Sequence, residues 1–350
     1  MSNFGLIRED TSRAVLRAIP IPKLRDDYIL VKPVIVALNP TDWTSLDAVG
    51  KDGVLNGVDY AGIVEEVGSK VTRFRKGDRV AGCSHGSNEA DPETGSFAQW
   101  IIAKGDIQMH IPENMTFEQA AASCGSGSIS AGLALYKYLD LPLPEAERDP
   151  DKTILVYGGS TATGSVMIQF AKLSGWTVVA TCSPKHFDML RERGVDAVYD
   201  YRDPTVGEKI RKDTGGKINV VVDAVAIDSS AAICAQAIGP GGGVYLSLLG
   251  TECSRPDVKS IFFLAYGCSG EAYICEGEHF PADPSMFDFM VSFAPISERL
   301  LKEGKWKTHP TRLRPGGLIG VLDGMQEMRE GRGPSGEKWI YRVDDTVWPS

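Results

Sequence analysis

The sequence predicts an α/β protein in which a doubly wound parallel sheet is joined to a smaller, β-rich, barrel-like domain. Three observations predict it. At 350 residues the chain exceeds what one hydrophobic core ordinarily organises, which points to two domains. The first third alternates short β-rich runs with Gly and Pro punctuation, the pattern of a small antiparallel domain. Beyond residue 152, β-rich runs alternate with helical patterns, which is how a parallel sheet with covering helices is written.

Taken in order, the first domain carries β runs at 28–36, 61–67 and 78–81. From Phe117 the texture changes to small residues and helix formers, first at 118–122 and then at 131–136, where the chain crosses into the second domain. The Pro-, Glu- and Asp-rich stretch 141–152 reads as a solvated loop. Strands follow at 153–157, 177–182, 197–201, 219–224 and 243–249. Between the first two, apolar residues at 166, 167, 170, 171 and 173 suit a helix covering a sheet. The run 339–343 is a last strand, expected to return to the first domain.

The 43% apolar fraction supports compact folding, and no apolar run approaches the roughly eighteen residues of a membrane span. The amino terminus lacks the basic-then-apolar order of a secretory signal, so the expected address is cytoplasmic. A net charge of −9, with Lys and Arg scattered, provides no basic stripe for nucleic acid. The seven cysteines are odd in number, widely spaced and without a C-x-x-C pair, so neither a disulfide framework nor a structural zinc is expected.

The segment Tyr157-Gly158-Gly159-Ser160-Thr161-Ala162-Thr163-Gly164 lies between a strand and a helix, where glycines let the backbone approach a pyrophosphate. Hydroxyls at 160, 161 and 163 would add donors, and a plain strand-to-helix turn is the alternative. An NAD-binding unit carries an acid about twenty residues later, at the end of the second strand. Here stand Ser183-Pro184-Lys185-His186, which would receive a 2′-phosphate that a carboxylate would repel, so NADPH is expected over NADH. Tyr201 ends the next strand at the same sheet edge. The alternative is that Lys185 and His186 are merely solvated helix-start residues.

Asn39-Pro40-Thr41-Asp42-Trp43-Thr44, Gly57-Val58-Asp59-Tyr60-Ala61-Gly62, Lys76-Gly77-Asp78-Arg79-Val80, Gly95-Ser96-Phe97 and the Gly-rich turn together resemble the medium-chain dehydrogenase/reductase superfamily over nearly the whole length. That resemblance implies a GroES-like catalytic domain, 1–122 with 290–350, around a Rossmann domain, 123–289. Zinc-dependent members place a cysteine near Asn39 and Gly-His-Glu at Gly57-Val58-Asp59. Neither is present here, so no metal is expected. Within the superfamily, Gly-Gly-Ser-Thr-Ala-Thr, Thr181-Cys182-Ser183-Pro184, Asp200-Tyr201-Arg202 and Ser335-Gly336-Glu337-Lys338 look like the trans-acting enoyl reductases of fungal polyketide pathways, the lovastatin type.

The implied activity is NADPH-dependent reduction of an α,β-unsaturated thioester held on a synthase carrier domain, in secondary-metabolite biosynthesis. The implied cofactor contacts are Thr41, Asp42, Trp43, Thr44, Ser160, Thr161, Ala162, Thr163, Ser183, Pro184, Lys185, His186, Tyr201, Leu248, Leu249, Trp339 and Ile340. Substrate contacts are implied at Ser123, Cys124, Gly125, Ser126, Gly127, Ser128, Ile129 and Ser130, and at Gly267, Cys268, Ser269, Gly270 and Glu271. The run 123–130 would serve equally as an interdomain hinge. Relatives often have lysine where this chain has Thr44. Thr44 and Tyr60 are candidate catalytic residues, His85 is a further candidate proton donor, and water would also protonate an enolate. Two rival functions stay open: a quinone or small-enone reductase without a carrier partner, and an NADPH-binding accessory protein without hydride transfer.

Overall fold

The structure, a computed structural model, describes residues 3–349. By internal contacts the chain forms two compact units: residues up to Ile129 with those from Tyr266 onward, and the single stretch Ser130–Ala265. The sequence reading put these seams after 122 and 289. Residues 266–289 join the outer unit through contacts between distant segments: Glu271 pairs with Lys104 at 2.7 Å, and the helix Pro284–Lys302 packs on the short strand Met109–His110.

In the outer unit, β1 (Asn3–Asp10) and β2 (Arg13–Ile19) form a hairpin. β3 (Tyr28–Ala37), β4 (Asp59–Val67), β5 (Arg79–Cys83), β6 (Ile101–Lys104) and β7 (Met109–His110) build the main sheet. Their interior positions read Ile29, Val31, Val36, Tyr60, Val64 and Val80, all buried in one core with Phe97 and Ile101. α1 (Pro40–Ala48) follows β3, with Pro40 at its start and Asn39 in extended conformation at its N-cap. α2 (Phe117–Ala121) opens on a capping box, Thr116 with Gln119. The chain passes into the inner unit within α3 (Ser126–Gly132).

The inner unit is a six-stranded parallel sheet of β8 (Thr153–Tyr157), β9 (Thr177–Cys182), β10 (Ala197–Asp200), β11 (Val220–Asp223), β12 (Gly243–Ser247) and β13 (Val258–Phe262). Its order is β10-β9-β8-β11-β12-β13. The chain winds outward from β8 through β9 and β10, then returns to β11 on the other side, which creates a crevice at the carboxyl ends of β8 and β11. α4 (Ala162–Leu173), α5 (Phe187–Glu192), α6 (Val206–Asp213) and α7 (Asp228–Ala237) are the crossovers. The five strands expected here form within two residues of their expected bounds. The sixth, β13, went unread because its exposed Lys259 and half-buried Ser260 interrupt the apolar run.

Back in the outer unit, β14 (Tyr273–Cys275) and β15 (Glu278–Phe280) form a hairpin before α8 (Pro284–Lys302). β16 (Thr311–Arg314), α9 (Gly317–Arg329) and β17 (Lys338–Arg342) complete it. As the sequence suggested, the last strand returns to the first domain: β17 pairs antiparallel with β3. β16 joins β17 in parallel, an exception to the expected antiparallel pattern.

Candidate active site

The inner unit gathers its expected site residues at one end. Ser160 to Thr163 follow β8, Ser183 to His186 follow β9, Tyr201 follows β10 and Leu248-Leu249 follow β12, all at the carboxyl edge of the same sheet. The β8–α4 turn is tight: Gly158 has φ +77°, and a Cβ there would stand 2.6 Å from Val225 Cγ2. Thr161 caps α4, its Oγ1 accepting from Gly164 N–H at 3.0 Å, so this hydroxyl is engaged within the turn. Ser160 and Thr163 are half-buried beside it. Lys185 is exposed and Ser183 half-buried, while the exposed Tyr201 ring meets Tyr157 edge-on at 6.5 Å. Behind the crevice lies Asp223, fully buried at the end of β11. It accepts from Ser230 Oγ (2.5 Å), Tyr245 Oη (2.8 Å) and the Val225 and Ala226 N–H groups (2.9 and 2.7 Å), which fixes the loop facing the Gly-rich turn.

The outer unit has a polar centre of its own. Lys338 Nζ lies 2.5 Å from Asp59 Oδ2 and 2.6 Å from Asn39 Oδ1, with the two ionic side chains 4% and 1% exposed. Asn39 Nδ2 donates to Asp59 Oδ2 at 3.0 Å. Ser126 N–H donates to Asp59 Oδ1 at 2.7 Å, and its hydroxyl donates to Asp59 Oδ2 at 2.8 Å with Asn39 Oδ1 at 3.2 Å. Gly125 makes this approach possible, since a Cβ there would fall 2.3 Å from Asp59 Oδ1. Asp42, also buried, accepts from Asn39 N–H at 2.6 Å. Burial pushes its carboxyl up to about 8, against the pull of that hydrogen bond.

Residues 25–113 match the alcohol dehydrogenase GroES-like domain family and residues 162–266 the zinc-binding dehydrogenase family. Over 343 residues the chain is 42% identical to the trans-enoyl reductase ACTTS2 of Alternaria alternata, covering 97% of this chain and 98% of that protein. It is 43% identical over 341 residues to the trans-enoyl reductase resD of Aspergillus sclerotiorum, covering 93% and 95%. The chain belongs to the trans-enoyl reductases. Its fold is that of the medium-chain dehydrogenase/reductases: the CurK enoyl reductase superposes with a TM-score of 0.76 at 17% identity, covering 97% of this chain and 99% of that one.

A nicotinamide cofactor goes with this reductase fold. The residues fit one: a Gly-rich turn without room for a side chain, a helix N-terminus behind it, and open polar groups beyond β9. Among the described residues no group of three or more His, Cys, Asp and Glu is spaced to hold a metal, and none of the helices is long and apolar enough to cross a membrane.

The other expected site residues divide by environment. Thr41, Trp43 and Thr44 are half-buried on α1; Thr41 Oγ1 lies 2.6 Å from Tyr266 Oη. Trp339 and Ile340 are buried, and the Arg314 guanidinium covers the Trp339 ring at 4.3 Å. In the run 123–130 only Ser126 and Ser130 are more than marginally exposed; Ser123, Cys124, Gly125, Gly127, Ser128 and Ile129 are buried. Glu271 is held by Lys104 and by Tyr28 Oη, at 2.7 and 2.6 Å. Tyr60 is fully buried, its hydroxyl donating to Gln108 Oε1 at 3.1 Å, and burial pushes the phenol well above its usual range. His85 stacks on Tyr266 at 3.7 Å, and burial holds its imidazole down at about 3, so it stays neutral at ordinary pH. Sequence reading overlooked the roles of Lys338, Asp59 and Asp223. For the first, the signal was the Ser-Gly-Glu-Lys motif, whose lysine faces a segment 279 residues away.

Proposed function

We propose that this chain reduces the α,β-unsaturated thioester of a polyketide intermediate presented on the carrier domain of a separate synthase, with NADPH as reductant. The likeness to named trans-enoyl reductases along nearly the whole chain carries this reading. When bound, the cofactor supplies hydride to the β-carbon. The chain's part is to hold and orient. The α4 N-terminus and Ser160 to Thr163 receive the pyrophosphate, and Ser183 with Lys185 receives the 2′-phosphate where an acid would select NADH. Thr41 to Thr44, Leu248-Leu249 and Trp339-Ile340 contact the cofactor's remainder.

Residues 123–130 and 267–271 guide the acyl chain, with Ser126 and Ser130 the residues of the first run that keep accessible surface. Tyr60 and His85 make poor proton donors, one enclosed at Gln108 and the other neutral and stacked, so the α-carbon takes its proton from water. The site address is cytoplasmic, where a carrier-borne chain and NADPH are both at hand.

NADPH oxidation measured with an enoyl-pantetheine thioester, a simple quinone and the cognate synthase tests this. Fastest turnover on the carrier-bound chain supports it, since tethering raises the effective concentration of the chain. Equal reduction of a free quinone favours the quinone-reductase reading, and NADPH binding without any turnover favours an accessory role.

A further inference from the structure

The buried cluster around Lys338 is larger than stability asks for. Burying an ammonium and a carboxylate strips both of water, and replacing such a pair with well-packed apolar groups is often neutral or stabilising. The surrounding core, with Val36, Tyr60 and Leu38 all buried, is made of such groups. What a cation adds is direction. Asn39 turns Oδ1 toward Lys338 and Nδ2 toward Asp59; the Asp59 carboxylate and the Ser126 hydroxyl agree with that orientation, and the ammonium adds its shortest, charge-assisted contact and draws Asn39 and Asp59 to one point. Asp59 in turn holds Ser126 by both backbone N–H and hydroxyl. Three segments distant in sequence therefore meet at one charge: the turn leading into α1, the start of β4 and the start of α3.

We propose that Lys338 is a positioning residue of the reductase, a built-in cation that sets Asn39 and Asp59, and through them aims the cofactor-contact segment 41–44 in the first turn of α1 and the Ser126 hydroxyl. The inference rests on the functional reading above, in which those two segments meet cofactor and acyl chain. Ser126 is where the orientation reaches the acyl chain, being half-exposed while its neighbours at 123–125 and 127–129 are buried. Lys338 itself touches no reacting atom. Its place at the head of β17, beside the expected cofactor contacts Trp339 and Ile340, makes one strand serve both purposes.

The test uses the full chain with Lys338→Met, Lys338→Ala and Ser126→Ala, each checked for folding by circular dichroism and thermal melting. NADPH affinity is read by fluorescence titration, and kcat and KM with an enoyl-pantetheine thioester. Lys338→Met is expected to lose about 10- to 100-fold in kcat, with a smaller change in KM, because misplaced contacts act on the transition state more than on capture. Lys338→Ala should recover turnover saturably with added propylammonium and not with 1-propanol, since only the former restores a cation. A folded Lys338→Met with wild-type kcat and NADPH affinity, or a folded Lys338→Ala that propylammonium leaves unchanged, overturns the proposal. Should both lysine variants fail to fold, Ser126→Ala decides: an unchanged kcat refutes the route through its hydroxyl, and a selective kcat loss supports it. If the wild-type protein binds NADPH but reduces no thioester, the functional reading fails by itself, and an unaltered NADPH affinity in Lys338→Met then refutes the positioning role separately.

Discussion

Asp59 and Asp223 are both fully buried carboxylates, one in each unit, and they are satisfied in opposite ways. Asp223 draws on neutral donors close in sequence, the Val225 and Ala226 amides and Ser230, with Tyr245 the most distant at 22 residues. Asp59 draws on an ammonium 279 residues away, together with Asn39 and Ser126. The difference teaches that the inner unit fixes its loops locally, whereas the outer unit fixes its site by long-range charge. Losing one neutral donor removes one hydrogen bond from Asp223, whereas losing the ammonium leaves the buried Asp59 without its counter-charge.

The largest expected effect follows from that contrast. Lys338→Met should destabilise the protein by about 3–5 kcal/mol in denaturant unfolding, because it leaves a buried carboxylate without its cation. Asp223→Asn, which keeps the shape and one acceptor, should cost about 1.5–3 kcal/mol. Equal losses would break the comparison. Adding Asp59→Leu to Lys338→Met should restore part of the stability, the non-additivity expected of contacting partners.

Two glycines sharpen it next. Gly125→Ala forces a methyl to within 2.3 Å of Asp59 Oδ1 and 2.7 Å of the Gly82 carbonyl, so the outer cluster must shift, and turnover should fall with stability. Gly158→Ala meets a movable valine and a left-handed backbone, at a cost of about 1–3 kcal/mol, and should weaken cofactor affinity above all. Titrating cofactor into both variants checks which property each moves. Smaller still, Ser183→Ala with Lys185→Ala should shrink the preference for NADPH over NADH by about 1.5–3 kcal/mol in paired titrations. No preference in the unmodified protein would show that the end of β9 reads otherwise.

The last effect is a pH slope. Asp42 is raised from 3.8 to about 8 in the folded chain, so its contribution to stability is complete below pH 3.8, declines as pH rises and is gone above about 8. Asp42→Asn removes the titration. The stability of the wild-type protein relative to that variant should therefore fall between pH 4 and 9, and parallel curves would refute the assignment.

The same contrast explains what the sequence made legible. Strands β8 to β12 are short apolar runs bounded by Gly and polar turns, and the site residues of β8, β9, β10 and β12 begin within three residues of the strand end, so local pattern suffices. The expected contacts at 160–163, 183–186 and 201 accordingly gather along one edge. In the outer unit the motifs were visible but not their partners: nothing within reach of Lys338 along the chain announces Asp59, and nothing around Tyr60 announces Gln108. β2, β14 and β15 are hairpin strands whose half-exposed residues blur the alternation, and β1 is buried on both faces from Gly5 to Arg8, which hides the alternation too. The seam at 265 escaped notice because Glu271 and α8 declare their allegiance only through contacts in three dimensions.

The pairing of β17 with β3 has a consequence for synthesis. A ribosome releases residues 130–265 well before residues 338–342, so the parallel sheet has all six strands while β3 still has an unpaired edge and Asp59 has no cation. During that interval the nascent chain carries a buried-acid site without its counter-charge and an open strand edge, the kind of surface on which holding chaperones act. Completion of the outer sheet thus waits for residues 338–342, and a chain cut before residue 338 would carry the parallel sheet beside an outer unit in which part of the β3 edge stays open.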